Sequence, residues 1–162
     1  YAPANCNNVI VVGAGDARGG LSFYSNFGPE LDLLAPGGDV YADSDSDGRP
    51  DGVLSTRATA SGCYDPLNSN STERCYYSFL QGTSMAAPHV SAALALLASQ
   101  SGLRGRQLEN LLITRAIAPH AADFGQIECA RARNATPVAA GSATCARPSG
   151  LGALDLARAL GG

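Results

Sequence analysis

From residue 82 to residue 90 the chain reads Gly82-Thr83-Ser84-Met85-Ala86-Ala87-Pro88-His89-Val90. The residues that follow are mostly alanine and leucine, and the pattern predicts a helix from Ser84 to about Gln100 with apolar side chains around most of its circumference. Such a helix is expected to be buried. Pro88 falls in the first turns, where proline is tolerated better than in the middle of a helix, and Gly102 stands where a C-cap glycine is expected.

Ser84 lies where a glycine turn delivers a hydroxyl to the N-terminus of this predicted helix. Backbone N–H groups are unpaired there, and the helix dipole favours negative charge. A serine so placed can attack a carbonyl carbon while nearby N–H groups stabilise the oxyanion, and Gly82 would let a substrate approach closely. The alternative is an ordinary N-cap serine. Because serine caps are common, these residues alone favour the cap.

The rest of the chain alternates between predicted strands and helices, which indicates an α/β fold. Residues 38–76 are rich in Asp, Ser, Asn and Gly and are predicted to form a long loop with one short strand near Val53. The remaining predictions are a strand over Val9–Val12 buried on both faces, a strand over Leu31–Ala35 interrupted by Asp32, a short strand over Tyr77–Leu80, a helix over Gly105–Ile117, and a last helix over Ala153–Leu160.

Composition restricts the possible classes of function. A hydrophobic content of 45% excludes a wholly disordered chain, and 162 residues suit one domain or part of a larger one. The net charge is −3 and the 11 Lys and Arg residues are scattered, so no basic stripe indicates nucleic-acid binding. No run of about 18 apolar residues is present, so no membrane span is predicted.

The five cysteines lie at positions 6, 63, 75, 129 and 145. None forms a Cys-x-x-Cys pair and neither histidine is near such a pair, so a zinc site is not expected. Disulfides joining Cys63 to Cys75 and Cys129 to Cys145 would each close a polar loop and contribute about 3 kcal/mol. Cys6 then lacks a partner. Disulfides imply secretion, and the alternative is five reduced, partly buried thiols.

Residues 82–90 resemble the serine-nucleophile signature of the subtilisin family, Gly-Thr-Ser-Met-Ala-x-Pro-His-Val, at every fixed position. Three further stretches are similar to parts of the same family. Residues 8–14 match a core strand that leads into Val-Gly-Ala, residues 23–37 match the Ser-Asn-x-Gly … Asp-x-x-Ala-Pro-Gly region, and residues 150–155 match the Gly-x-Gly-x-x-Asp end of the catalytic domain. The resemblance covers nearly the whole chain apart from insertions at about 39–76 and 120–148.

The resemblance implies a three-layer subtilisin-like α/β fold with a mostly parallel sheet, of which residues 1–162 form the C-terminal portion. It also implies a secreted serine endopeptidase that acts on polypeptides through a Ser84 acyl-enzyme. In the family the catalytic Asp and His, and the Asn that donates to the oxyanion, all precede the matched region. The chain is therefore expected to be inactive without the N-terminal part of the same domain. Its start at Tyr1 rather than Met fits a chain that was processed or cut from something longer.

Neither histidine of the chain is expected to act as the missing base. His89 lies five residues after Ser84 on the same predicted helix, and that spacing cannot place its imidazole on the Ser84 hydroxyl. In the family this histidine is structural. His120 lies far downstream in a predicted loop. A serine hydroxyl without its base stays protonated and reacts weakly.

An Asp-rich segment predicts a calcium site. Carboxylates occupy positions 1, 3, 5 and 9 of an EF-hand-like loop with glycine at position 6, and position 7 would offer the Arg49 carbonyl. The predicted ligands are Asp43, Asp45, Asp47, Arg49 and Asp51. Position 12 is Leu54 rather than the usual glutamate, and no flanking helices are evident, so the alternative is a solvated acidic surface loop.

Asp32 is a second candidate cation ligand. The resemblance implies a weaker site between this aspartate and backbone carbonyls near Cys6 and Val9. An aspartate in an apolar strand also needs a polar partner.

Three functions of different kinds remain open from the sequence. The first is the endopeptidase. The second is a catalytically silent subtilase-like module that binds Ca²⁺ and a partner, and the third is an acyltransferase or peptide cyclase that uses the same nucleophile. An Asp, a His and an Asn encoded upstream would distinguish the first from the second.

Overall fold

The computed structural model describes residues 6–28, 30–57, 77–115, 117–118 and 152–160. Within them the elements, in chain order, are β1 (Val12–Gly15), β2 (Leu33–Pro36), β3 (Val53–Thr56), β4 (Tyr77–Leu80), α1 (Thr83–Ser101), α2 (Gly105–Arg115), β5 (Ile117–Ala118), β6 (Ala153–Leu154) and α3 (Leu156–Ala159). No helix in these ranges is both long enough and apolar enough to cross a bilayer.

The described strands form two sheets. One has the order β1-β2-β6-β5, with parallel pairing from β1 through β2 to β6 and an antiparallel last pair. The other is the antiparallel pair of β3 and β4, which confirms the strands predicted near Val53 and over Tyr77–Leu80. Helix α1 packs on β1 and β2, and α2 packs on α1. The core between these layers consists of Ala14, Leu33, Ala35, Ala86, Val90, Ala93, Leu97 and Leu112.

The first strand lies three residues later than predicted. Val9 is 38% exposed, and the ladder with β2 pairs Val12 with Leu33 and continues through two glycines to Gly15. A Cβ on Gly13 would lie 2.7 Å from the Leu34 side chain, so glycine is what allows the two strands to pack here. Of the apolar run Val9–Val12, only Val12 therefore belongs to the strand. The second strand likewise begins after Asp32, at Leu33.

Helix α1 has the predicted extent but not the predicted burial. The helix ends at Ser101. Gly102 follows it as the C-cap, and its φ of 71° is the left-handed conformation. One stripe alone is buried, at the spacing of a single helix face: Ala86, Val90, Ala93 and Leu97. The opposite face leaves Ala92, Ala95 and Leu96 exposed. The expectation of burial all round is wrong for the described residues, because they cover only one side of the helix.

The C-terminal helices are shorter than predicted because strands occupy their ends. Helix α2 ends at Arg115, and Ile117 pairs with Leu154. Ala153 and Leu154 belong to β6 rather than to the last helix. The Asp155 carboxylate accepts the N–H of Arg158 at 3.0 Å, so it caps α3, and the helix begins only at Leu156.

Candidate active site

The turn from β4 into α1 exposes the Ser84 hydroxyl at a helix N-terminus. Gly82 is the N-cap residue, its φ of 150° is one that glycine adopts readily, and no side chain caps the helix. Its carbonyl accepts the N–H groups of Met85 at 3.0 Å and Ala86 at 3.3 Å. The N–H groups of Thr83 and Ser84 come before the first helical hydrogen bond and point out of the helix end. Ser84 is exposed.

This geometry excludes one of the two roles left open for Ser84, and its role as a nucleophile stays a prediction. A capping serine would precede the helix and accept from its N–H groups. Ser84 instead lies inside the first turn, after a glycine cap, so the N-cap alternative is wrong. Ser84 is exposed and lies at the helix end where the dipole favours negative charge.

The segment that follows β2 holds in place the turn at Gln81 and Gly82, which leads to Ser84. The Gly82 N–H donates to Gly37 O at 2.9 Å, and the Val40 N–H donates to the Gln81 side-chain oxygen at 2.7 Å. Both bonds join segments more than 40 residues apart in sequence. Sequence reasoning missed Gln81 as part of the site, although its place beside Gly82 was a signal.

Tyr24 is a second residue that sequence reasoning missed. Its Oη lies 2.8 Å from Gly37 O and 2.7 Å from Gly38 O. Burial raises the pKa of Tyr24 above the ordinary 10.0, while a hydrogen bond with Ser22 lowers it less. The hydroxyl therefore stays protonated, and remains a donor, through the neutral range.

The His89 side chain is hydrogen-bonded to the backbone of its own helix. Its Nδ1 lies 2.8 Å from Met85 O, one turn earlier on the same helix, and because a carbonyl can only accept, Nδ1 carries the proton. The side chain lines a cleft at the ends of β1 and β2, together with Ala35 and Ala153, and Ser84 is not among the residues that line this cleft. His120 lies outside the described residues.

The acidic loop brings three of the predicted ligands together. One carboxylate oxygen from each of Asp43, Asp45 and Asp47 lies within 4.8 Å of the others, and all three side chains are exposed. Asp51 is not in this group. Its Oδ2 accepts the N–H and the hydroxyl of Ser44 at 2.9 and 2.5 Å.

The backbone of the loop also follows the predicted pattern. Gly48, at position 6, has a φ of 82°, and the Gly48 N–H donates to Asp43 at 3.0 Å. The Arg49 N–H donates to Asp47 at 2.8 Å. The carboxylates therefore turn toward the inside of the loop.

The Asp32 carboxylate has a partner that the sequence did not reveal. Its Oδ2 accepts the Val11 N–H at 2.7 Å, while the Asp32 N–H donates to Val11 O at 2.9 Å. This reciprocal pair satisfies the polar group beside the apolar strand. Asp32 lies apart from the acidic loop, and its role as a cation ligand stays a prediction. Cys6 is a free, exposed thiol, and the other four cysteines lie outside the described residues.

Relatives of known sequence match 60–70% of this chain. Over 99 residues this chain is 38% identical to an extracellular protease of Xanthomonas campestris. The aligned region covers 60% of this chain and 13% of that protein. Over 100 residues it is 36% identical to a thermophilic serine proteinase of Bacillus sp. (62% and 18%), and over 115 residues it is 33% identical to subtilisin DY of Bacillus licheniformis (70% and 32%). The chain thus spans less than a third of the length of these relatives.

Solved structures and a family model agree with this similarity. A protease from Pseudoalteromonas arctica superposes with a TM-score of 0.63 at 31% identity, over 99% of this chain and 37% of that one. The epidermin leader peptide processing serine protease of Staphylococcus aureus gives 0.62 at 26% identity, over 98% and 32%. The model of the subtilase family matches residues 1–152. The parallel sheet, the helix that begins at Thr83 and these likenesses agree, and the chain belongs to the subtilase family and has the subtilisin-like fold.

Proposed function

We propose that this chain is the C-terminal portion of the catalytic domain of a serine endopeptidase, in which Ser84 attacks the scissile peptide bond. The observation that carries the proposal is the exposed Ser84 hydroxyl at an uncapped helix N-terminus. The extracellular and serine proteases to which the chain is similar support it.

The proposed reaction is acyl transfer in two halves. Ser84 Oγ forms a bond to the carbonyl carbon of the substrate while its proton passes to a base, and the carbonyl oxygen becomes an oxyanion. The N–H groups at the start of α1 stabilise that oxyanion. The C–N bond then breaks, the amine leaves with the proton, and water hydrolyses the Ser84 ester.

We propose that the base comes from outside this chain. Of its two histidines, His89 has Nδ1 on Met85 O and His120 is far from Ser84 in sequence. We therefore propose that an N-terminal part of the same domain supplies the Asp, the His and the oxyanion Asn, and that the chain alone is inactive. The exposed apolar face of α1 is the surface this part would cover, since apolar surface of this kind is normally buried.

We also propose that the acidic loop binds Ca²⁺. Three carboxylates within 4.8 Å repel one another unless a cation lies between them, and oxygen donors are the ligands that Ca²⁺ takes. Asp43, Asp45 and Asp47 would hold the ion with the Arg49 carbonyl, while Asp51 and Asp32 are weaker candidates because their carboxylates do not lie in the group of three. The ion would neutralise the loop and fix its conformation.

Secretion completes the proposal. Relatives named extracellular proteases in Xanthomonas campestris and Dichelobacter nodosus support it, and the expected disulfides agree with an oxidising compartment.

A silent, calcium-binding module is the second candidate function. The observation that favours it is the His89 geometry, which leaves Ser84 without a histidine base among the residues that the structure describes.

A reconstitution assay distinguishes the two. Peptide hydrolysis is measured for the complete domain, for this chain alone, and for Ser84→Ala and Ser91→Ala variants of the complete domain. Ser91 is an exposed serine two turns further along α1 and serves as the matched control. We expect activity in the complete domain and in Ser91→Ala, and none in the other two. Equal hydrolysis by Ser84→Ala and the unmodified domain would reject the endopeptidase proposal, and no hydrolysis by any of them would favour the silent module.

A further inference from the structure

The Tyr24 hydroxyl and the Gly82 N–H meet at one carbonyl oxygen. Tyr24 Oη lies 2.8 Å from Gly37 O, and the Gly82 nitrogen lies 2.9 Å from the same atom. A carbonyl oxygen has two lone pairs and accepts both donors. Gly82 is the residue from which α1 and Ser84 leave the turn.

The Gly37 carbonyl is held on several sides. The N–H groups of Gly37 and Gly38 both donate to Gly15 O, at 2.9 and 3.0 Å. A Cβ on Gly37 would lie 2.3 Å from the Ala14 Cβ and 2.9 Å from Tyr24 Oη, so the turn is packed between strand β1 and the tyrosine ring. Tyr24 Oη also lies 2.7 Å from Gly38 O, and its one proton is shared by two carbonyls of the same turn.

We propose that Tyr24 is a positioning residue for Ser84, acting through the Gly37 carbonyl and the Gly82 N–H. The inference rests on the proposed function, because it concerns the reaction of Ser84. Removing the hydroxyl leaves two carbonyls without their shared donor, and the turn that receives Gly82 loses one of its fixed contacts. Small displacements of a nucleophile slow the chemical step strongly while leaving distant substrate contacts in place.

The test replaces Tyr24 by Phe in the complete catalytic domain. We expect kcat, and the rate at which a fluorophosphonate labels Ser84, to fall about ten- to a hundredfold, with KM unchanged. Tyr41→Phe is the matched control, because it deletes the same atom from a tyrosine that is 83% exposed, and we expect it to change nothing.

Hydrogen exchange of the Gly82 amide supplies a readout that needs no catalysis. In this 162-residue chain, exchange should be faster in Tyr24→Phe than in the unmodified protein, and unaltered in Tyr41→Phe. A lower Tm with unchanged kcat, KM and Gly82 exchange would make Tyr24 a merely structural anchor and overturn the proposal. If the unmodified domain is neither active nor labelled, the proposed function fails, and the Gly82 exchange still decides whether Tyr24 fixes this turn.

Discussion

Ser84 and Gly82 contribute differently to the turn that leads from β4 into α1. Ser84 is exposed, so its hydroxyl contributes little packing, and the chemistry is the role that we propose for it. Gly82 has the opposite role. Its φ of 150° permits the turn, although a Cβ there would meet nothing closer than the Ser84 nitrogen at 3.6 Å. Replacing Gly82 therefore tests backbone conformation rather than space.

Gly82→Ala should lower the free energy of unfolding by about 1–3 kcal/mol, because alanine is strained at this φ. Urea unfolding of this chain measures the change. Gly15→Ala is the control, since its added Cβ would meet backbone oxygens at an ordinary 3.4 Å and its φ is not positive. Equal losses in both variants would contradict the assignment of strain to Gly82.

The raised pKa of Tyr24 predicts that the free energy of unfolding depends on pH in the alkaline range. Burial raises its folded-state pKa above 10.0, so the protonated phenol favours the folded state. The contribution is fully present below about pH 10, the pKa of the unfolded chain, and is lost as the pH rises through the raised folded-state value. The stability difference between the unmodified chain and Tyr24→Phe should therefore shrink above about pH 10. A difference that grows with pH there would contradict the direction of the shift.

Helix α1 is the element that would join the core to the N-terminal part that we propose for the domain. Its stripe of Ala86, Val90, Ala93 and Leu97 packs on the sheet, whereas Leu96, one residue from a buried leucine, is 46% exposed. The two neighbouring leucines thus separate the packing within this chain from the packing that we propose for the N-terminal part.

Leu97→Ala should cost about 2–5 kcal/mol in this chain, and Leu96→Ala less than about 0.5 kcal/mol. In the complete domain Leu96→Ala should also become costly, because the N-terminal part would bury this face. Denaturant unfolding of both proteins measures the four values. A Leu96 effect that stays small in the complete domain would show that something other than this face receives the missing part.

How far the sequence predicts these elements depends on where pairing partners lie. The helix from Ser84 is legible because local periodicity and Gly102 define it. Strand β1 lies later than the sequence predicts because its ladder runs through Gly13 and Gly15, which carry no apolar side chain, and Gly13 allows the close approach of Leu34. Tyr24 and Gln81 were missed for a similar reason, since their partners Gly37 and Val40 are distant in sequence.

The acidic loop and the turn before Ser84 are both hydrogen-bonded to the segment after β2, at Asp39 and Val40. Val40 bonds to Gln81, and its neighbour Asp39 donates its N–H to Asp51 O at 3.0 Å, at the far end of the loop. The proposed calcium site therefore lies a few residues from the support of Ser84, so an ordered loop should also stabilise that support.

Calcium at a hundredfold excess over its Kd should stabilise the protein by about 2.7 kcal/mol and raise its Tm. Asp45→Ala should abolish the gain. Glu30→Gln, which removes an exposed carboxylate outside the loop, should retain it. The same Tm gain in Asp45→Ala would place the ion elsewhere, and no gain in any protein would reject the site.

We propose that Ser84 becomes a nucleophile only beside the N-terminal part of its domain. The most direct test of this proposal is to treat the complete domain and this chain with a fluorophosphonate and to map the adduct by mass spectrometry. We predict one adduct on Ser84 in the complete domain and none on the isolated chain. An adduct on another serine, or equal labelling of Ser84 in the isolated chain, would contradict the account.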